Sequence, residues 1–124
     1  MADSEPRALD LPLMSFAIEQ EIEKLKASDQ WQRESRAALT LVKTHAVTIV
    51  LVALHAGAVL KDHHAEGPIT VAVLEGAIRL KTSGDERVLR RSALLALGSA
   101  IQHEIEALED SAFVLTVNQT AKQN

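Results

Sequence analysis

The run GAVLKDHHAEGPITVAVLEG, residues 57–76, decides how the rest of the chain is read. Gly57, Gly67 and Gly76 punctuate it, and Pro68 follows Gly67 directly, so no helix passes through it. Between Pro68 and Gly76 the β-branched residues Ile69, Val71 and Val73 stand at every second position, separated by Thr70 and Ala72. That is the two-residue period of a strand with one face in a core. Three groups capable of metal or proton chemistry, His63, His64 and Glu66, sit just ahead of this strand.

The same pattern continues on either side. Upstream, residues 47–54 read VTIVLVAL, and a shorter apolar run covers residues 39–42. Downstream, strands are expected at residues 77–81, 88–89, 93–97, 101–106 and 113–117. Gly84 and Asp85 form a hairpin turn, with Glu86 and Arg87 leading out of it. Short strands at regular spacing indicate an all-β sandwich or barrel. No helical segment alternates with strands after residue 36, which disfavours a parallel βαβ sheet.

The first 36 residues differ. Residues 1–10 are polar, and Pro6 and Pro12 break structure, so a tail is expected there. Met14, Ile18, Ile22 and Leu25 then fall on one helical stripe, with Glu19, Glu21, Glu23, Lys24 and Lys26 around it. Ser15 is the expected N-cap, and the helix should end near Ser28. Its stripe must be buried on the sheet of its own barrel or on a second subunit. Residues 27–36 read as a connection, in which Trp31 covers a barrel edge or a dimer contact. The chain thus divides into a tail and helix, residues 1–36, and a β-barrel domain, residues 37–124.

Composition narrows the function classes. A chain of 124 residues, 47% apolar and 24% charged, supports one domain with a real core. Its net charge of -4 gives no basic footprint for nucleic acid. The longest apolar run, residues 46–54 with Thr48 inside it, is too short to span a bilayer, and no signal-peptide pattern is read. A cytoplasmic protein without membrane contact is expected. There is no cysteine, which excludes disulfides, thiolate nucleophiles and Cys-ligated zinc. There is no tyrosine, and Phe16, Trp31 and Phe113 are the only aromatics, which removes a tyrosine general acid and most stacking platforms. No Gly-rich phosphate loop or nucleophile motif is present.

Residues 57–76 and 92–107, with the LEDSAFVL run after them, resemble the small single-domain cupins. The first cupin motif, G-x5-H-x-H-x3,4-E-x6-G, is matched at Gly57, His63 and Gly76. The second, G-x5-P-x-G-x2-H-x3-N, is matched at His103. The resemblance implies a double-stranded β-helix (jelly-roll) barrel carrying an N-terminal amphipathic helix. It also implies that the two motifs face one cavity and that the protein forms a homodimer, for which residues 46–54 and the helix stripe offer surfaces. Cupin metals are usually held by three histidines and a glutamate. Here Ala65 stands at the second histidine position and Ile69 at the glutamate position, or Thr70 at the alternative spacing. Ser92, Gly98, Ala100 and Ala107 replace the other landmarks of the second motif. Two ligands remain, His63 and His103, and a metal such as zinc, iron, manganese or nickel would need a third donor from His64 or Glu66.

Because the missing ligands are replaced mainly by apolar side chains, the first reading is a small-molecule pocket without metal and with little or no catalysis. It would be lined by His63, Ile69, Val71, Val73 and His103. The alternative is a metal-dependent enzyme of oxygenase or isomerase type using His63 and His103. A further alternative is a structural or protein-interaction role with a filled pocket. Cupin-fold sugar epimerases pair a histidine with a tyrosine, which this chain lacks. Arg87, Arg90 and Arg91 read first as a solvated strand edge whose charges discourage edge pairing, with an anionic-ligand patch as the alternative. Glu104, Glu106, Glu109 and Asp110 read as a solvent-facing rim, His55 as exposed, and His45 as part of a strand-entry turn.

Overall fold

Ile69, Val71 and Val73, the alternating residues of the decisive run, are buried, while Thr70 and Ala72 between them are half-buried. The computed structural model in which this is seen describes residues 13–63 and 66–119; the expected tail at residues 1–10 lies outside the described residues. Two helices come first, α1 (Ile18–Lys26) and α2 (Asp29–Arg33). Nine strands follow: β1 (Arg36–Lys43), β2 (Val47–Leu54), β3 (Val59–His63), β4 (Ile69–Glu75), β5 (Ala77–Lys81), β6 (Glu86–Arg90), β7 (Leu94–Leu97), β8 (His103–Ala107) and β9 (Ser111–Asn118).

The strands form two antiparallel sheets, ordered β1-β2-β9-β4-β7 and β3-β8-β5-β6. From β2 to β9 the chain crosses between sheets so that β2-β9-β4-β7 faces β3-β8-β5-β6, the arrangement of a jelly roll. β1 is added outside β2. The inner faces make one apolar cluster that includes Phe113, Val71, Ile78, Leu80 and Ile105, each at most 2% exposed.

A second cluster lies on the outer face of the five-stranded sheet. There Ile22 and Leu25 of α1 and Trp31 of α2 cover Leu39, Leu41 and Leu51. The helix stripe therefore packs on the chain's own sheet, and both surfaces that the sequence offered for a dimer are used within the chain over much of their length. Lys26 at the end of α1 also reaches Glu75 of β4, 2.7 Å away.

Two local expectations are corrected. The N-cap of α1 is Ala17, with no side-chain cap, in place of Ser15; the helix starts three residues after Ser15. Residues 27–36 contain a real element, because the Ser28 hydroxyl accepts from the Trp31 amide and caps α2. Five residues are too few to show a helical period in sequence, so α2 was legible only through its cap.

Candidate functional site

Burial is uneven along the barrel. In β2, residues 51–54 are buried and residues 47–50 only half-buried; in β9, residues 111–113 are buried and residues 114–118 half-buried. Since these strands are antiparallel neighbours, both gradients point the same way. One end of the barrel is packed shut and the other opens.

Register divides the interior into rows. At the closed end Val52, Phe113 and Val73 are cross-strand neighbours, facing a row of Ala107, Ile78 and Leu89. The middle row has Val50, Leu115, Val71 and Leu95 on one sheet, and Leu60, Ile105, Leu80 and Arg87 on the other. The outermost row has Thr48, Val117, Ile69 and Leu97, with His103 on the opposite sheet. Of the residues expected to line a pocket, Ile69 belongs to the open end, Val71 to the middle and Val73 to the closed end.

His103 is 9% exposed and shares the inward face of β8 with Ile105 and Ala107. Its Nδ1 lies 3.0 Å from the Ile101 carbonyl oxygen. A carbonyl only accepts, so Nδ1 carries a proton, which leaves Nε2 as the nitrogen turned to a ligand. This bond fixes the ring's orientation. Across the β3–β8 ladder the backbone partner of His103 is His63, reached through a register shift between Leu60 and His63. Directly paired residues of an antiparallel ladder have Cα atoms about 4.5–5.5 Å apart. The two motif histidines are thus brought together at the backbone.

His64 and Ala65 lie outside the described residues, and Glu66 is exposed in the turn before β4. Ile69, at the family's glutamate position, is 3% exposed in the apolar cluster and cannot ligate. Among the described residues no three of His, Asp and Glu gather where they could hold a metal ion. The described side chains therefore do not fit the three-histidine, one-glutamate metal site of the resemblance.

Beside the open end, between β5–β6 and β7, lies a groove of about 310 Å³. Leu80, Leu95, Leu97 and Ile101 supply its apolar surface, and Thr82, Asp85, Glu86 and Arg87 its polar rim. This size is near the lower end for small-molecule sites. Ile101, in its wall, is the residue whose carbonyl holds His103. The sequence reading missed the groove; the signal was Arg87, which stands at an inward position of β6 as the register partner of Leu80.

His55 has a structural role. His55 is half-buried, contrary to the exposed position expected: its ring stacks on Trp31 with centroids 3.5 Å apart and planes 15° from parallel, and its Nε2 donates to the Trp31 carbonyl oxygen at 2.9 Å. His45 is exposed in the turn between β1 and β2. The acidic rim is partly tied down, since Glu106 accepts from Arg79 at 3.0 Å and Asp110 from the Ala56 amide at 2.8 Å.

Backbone geometry agrees with the cupin motifs even where side chains differ. Gly76 has φ +77°, and Ser92 and Ala100, at two glycine positions of the second motif, have φ +76° and +59°. Among solved structures, a cupin-superfamily protein of Desulfitobacterium hafniense matches with TM-score 0.67 at 14% identity, over 68% of this chain and 78% of that one. A conserved protein of unknown function from Streptococcus pyogenes matches with TM-score 0.69 at 18% identity, over 88% and 93%. A cupin-superfamily sugar phosphate isomerase of Silicibacter pomeroyi matches with TM-score 0.59 at 23% identity, over 69% and 60%. No family model and no curated protein matches the sequence. At these identities the likeness establishes the fold: the chain has the cupin fold. No helix among the described residues is long and apolar enough to cross a membrane.

Proposed function

We propose that the protein binds a small organic molecule at the open end of its barrel, without a resident metal and with little or no catalysis. The observation that carries this reading is His103: a buried imidazole, bonded to the Ile101 carbonyl, in the outermost row of an interior that is apolar except for Thr48 and Arg87 on the described inward positions. Its Nε2 accepts a hydrogen bond from a ligand hydroxyl or amide, while Ile69 and Leu97 supply apolar contact. His63 is its backbone partner on β3. An apolar concavity with few polar groups is the usual form of a small-molecule site.

Catalysis is poorly supplied. Acyl transfer needs a nucleophile with an adjacent base, and none is paired with His103 among the described contacts. Of the neighbours by fold, the Silicibacter protein is named as a sugar phosphate isomerase. Isomerisation would ask for a second acid or base facing His103, and His63 is the residue in register to supply it.

The test combines elemental analysis of protein purified without chelator with a thermal-shift screen of small hydroxylated and amide-bearing compounds. Wild type is compared with His103→Gln and with His63→Ala. The expected result is no stoichiometric metal, and hits whose Tm increase is lost in His103→Gln. A ligand at a hundred times its Kd adds about 2.7 kcal/mol, or roughly 10 °C for a domain of this size. Stoichiometric zinc, iron, manganese or nickel, absent from both variants, would replace this reading with the metalloenzyme.

A further inference from the structure

We propose that the groove between β5–β6 and β7 takes the carboxylate of a small amphipathic acid, with the Arg87 guanidinium as its anchor. This rests on the small-molecule reading of the same barrel end and adds the charge and shape of the ligand.

Register is the first ground. The middle row of the four-stranded sheet runs Leu60, Ile105, Leu80, Arg87, three apolar side chains and then a cation. Arg87 and His103 are the two ionisable residues of the inward rows whose side chains are described. By register Arg87 shares the inward face of the edge strand β6 with Leu89, and its side chain, 60% exposed, stands at the mouth of the groove.

The second ground is the arrangement of donors. Arg87 uses one nitrogen, Nη1, for both of its protein acceptors, the Asp85 carboxylate and the Glu86 carbonyl oxygen. The opposite edge, Nε and Nη2, is the fork that binds a carboxylate side-on through two parallel hydrogen bonds. Asp85 also accepts from the Glu86 amide at 2.8 Å, so it is itself fixed and holds the guanidinium in place. The nearby Glu86 carboxylate lies 3.2 Å from Arg79 Nε, on the outer face. Both rim carboxylates are thus matched by a cation.

The third ground is the apolar surface beyond the cation. Leu95 and Leu97 are half-buried, and Ile101 is 40% exposed, so the groove offers a hydrocarbon a surface to cover. Strand spacing and rise put the Arg87 and His103 backbones on the order of 12 Å apart. A short acyl chain bound by its carboxylate at Arg87 therefore lies along the groove toward His103 without needing its imidazole.

The probes are hexanoate, 1-hexanol and hexylammonium, titrated into the full chain by calorimetry, with Arg87→Gln and Arg90→Gln as variants. Hexanoate is expected to bind more tightly than the other two and to weaken as salt rises. Arg87→Gln should weaken it about tenfold or more, the loss of one charge-assisted pair, while Arg90→Gln, which removes an exposed cation on the outward face of the same strand, changes it less than about twofold by the same scale. Equal binding of hexanol and hexanoate, unchanged in Arg87→Gln, overturns the carboxylate anchor and leaves the small-molecule reading standing. Preference for hexylammonium overturns it in favour of Asp85. No binding of hexanoate also overturns it, and the His103 screen then decides the broader reading separately.

Discussion

Two glycines with the same backbone conformation allow steric contact to be separated from torsional strain. Gly57 has φ +90° and an added Cβ would meet nothing within 4 Å. Gly76 has φ +77°, and its Cβ would stand 2.3 Å from the Asp110 carbonyl oxygen and 2.4 Å from Ser111 Oγ. Left-handed backbone costs a residue with a Cβ about 1–2 kcal/mol, offset by about 0.4–1 kcal/mol because alanine restricts the unfolded chain. Gly57→Ala should therefore cost about 1 kcal/mol. Gly76→Ala carries that cost and must also displace backbone and a buried hydroxyl. Ser111 Oγ accepts from the Ala77 amide at 3.0 Å and lies 2.6 Å from the Glu109 carbonyl oxygen, so moving it disturbs the β4–β5 corner and the start of β9 together. Leaving one such buried group unsatisfied costs about 1–3 kcal/mol. The expected total for Gly76→Ala is about 2–4 kcal/mol. Urea unfolding, followed by the fluorescence of Trp31, the only tryptophan, measures both. Values for the two variants within about 1 kcal/mol of each other, the size of the strain term alone, would refute the close approach at Gly76.

Ser92→Gly and Ala100→Gly should each stabilise the protein by about 0.5–1 kcal/mol by relieving positive φ; a loss of stability in both would show that their side chains matter more than their backbones. Leu25→Ala should cost about 2–4 kcal/mol because it opens the cluster under α1, whereas Lys26→Ala, which removes a half-exposed ion pair, should cost less than about 1 kcal/mol; the reverse order in urea would mean that the helix is held by charge. At the β5–β6 turn, Arg87 holds the Asp85 carboxyl below its ordinary value of 3.8, first by hydrogen bonding, with the Glu86 amide adding to it. A lowered folded pKa contributes stability that is complete above the unfolded value and is lost as pH falls through the folded one. Asp85→Asn should therefore flatten the acid side of the stability profile below pH 3.8 and leave neutral pH unchanged in slope; an unchanged acid side would show that the pair adds nothing in solution.

The strands were legible because their alternation is driven by burial, and burial on one face is what a two-layer barrel requires. Val47–Leu54, Ile69–Glu75 and Ala77–Lys81 were readable to the residue. Weaker elements were those whose chemistry is local or shared. β1 runs over eight residues, Arg36–Lys43, but only its apolar middle stood out. β3 carries Lys61 and Asp62 and has a register shift, so no simple period marks it. The His55–Trp31 stack joins residues 24 apart and has no local signature. At the candidate site, the family resemblance implied that the two histidine motifs lie on neighbouring strands, and β3 and β8 are paired with His63 and His103 in backbone register. The groove was not legible, because Arg87 acquires its inward position only when β6 is paired with β5.

The second cupin motif shows how shape and chemistry separate in this chain. Its glycines serve the backbone, and its histidine and its partners serve a site. Residues 92 and 100 stand at glycine positions of the motif and both have positive φ; at residue 92 it is held from outside, since the Ser92 amide bonds the Val73 carbonyl at 2.9 Å and the Ala93 carbonyl accepts from the Val73 amide at 2.9 Å. These bonds bring β7 back onto β4 and so place Leu95 and Leu97 at the open end. The barrel thus keeps a strained corner that costs it stability, and the strand that corner delivers forms one wall of the groove. Strain that the surrounding structure holds in place is often found where function is located. The metal positions behave differently: Ile69 at the glutamate position is not a strained survivor but a well-packed core residue, 3% exposed. Restoring a carboxylate there by Ile69→Glu would bury a charge with no cation opposite it, so it should destabilise the protein by several kcal/mol unless a divalent metal is supplied. If the metal rescues Tm, His63 and His103 still point to a common centre and the site is one residue from metal competence; if it does not, the apolar pocket has replaced the metal site in geometry as well as in composition.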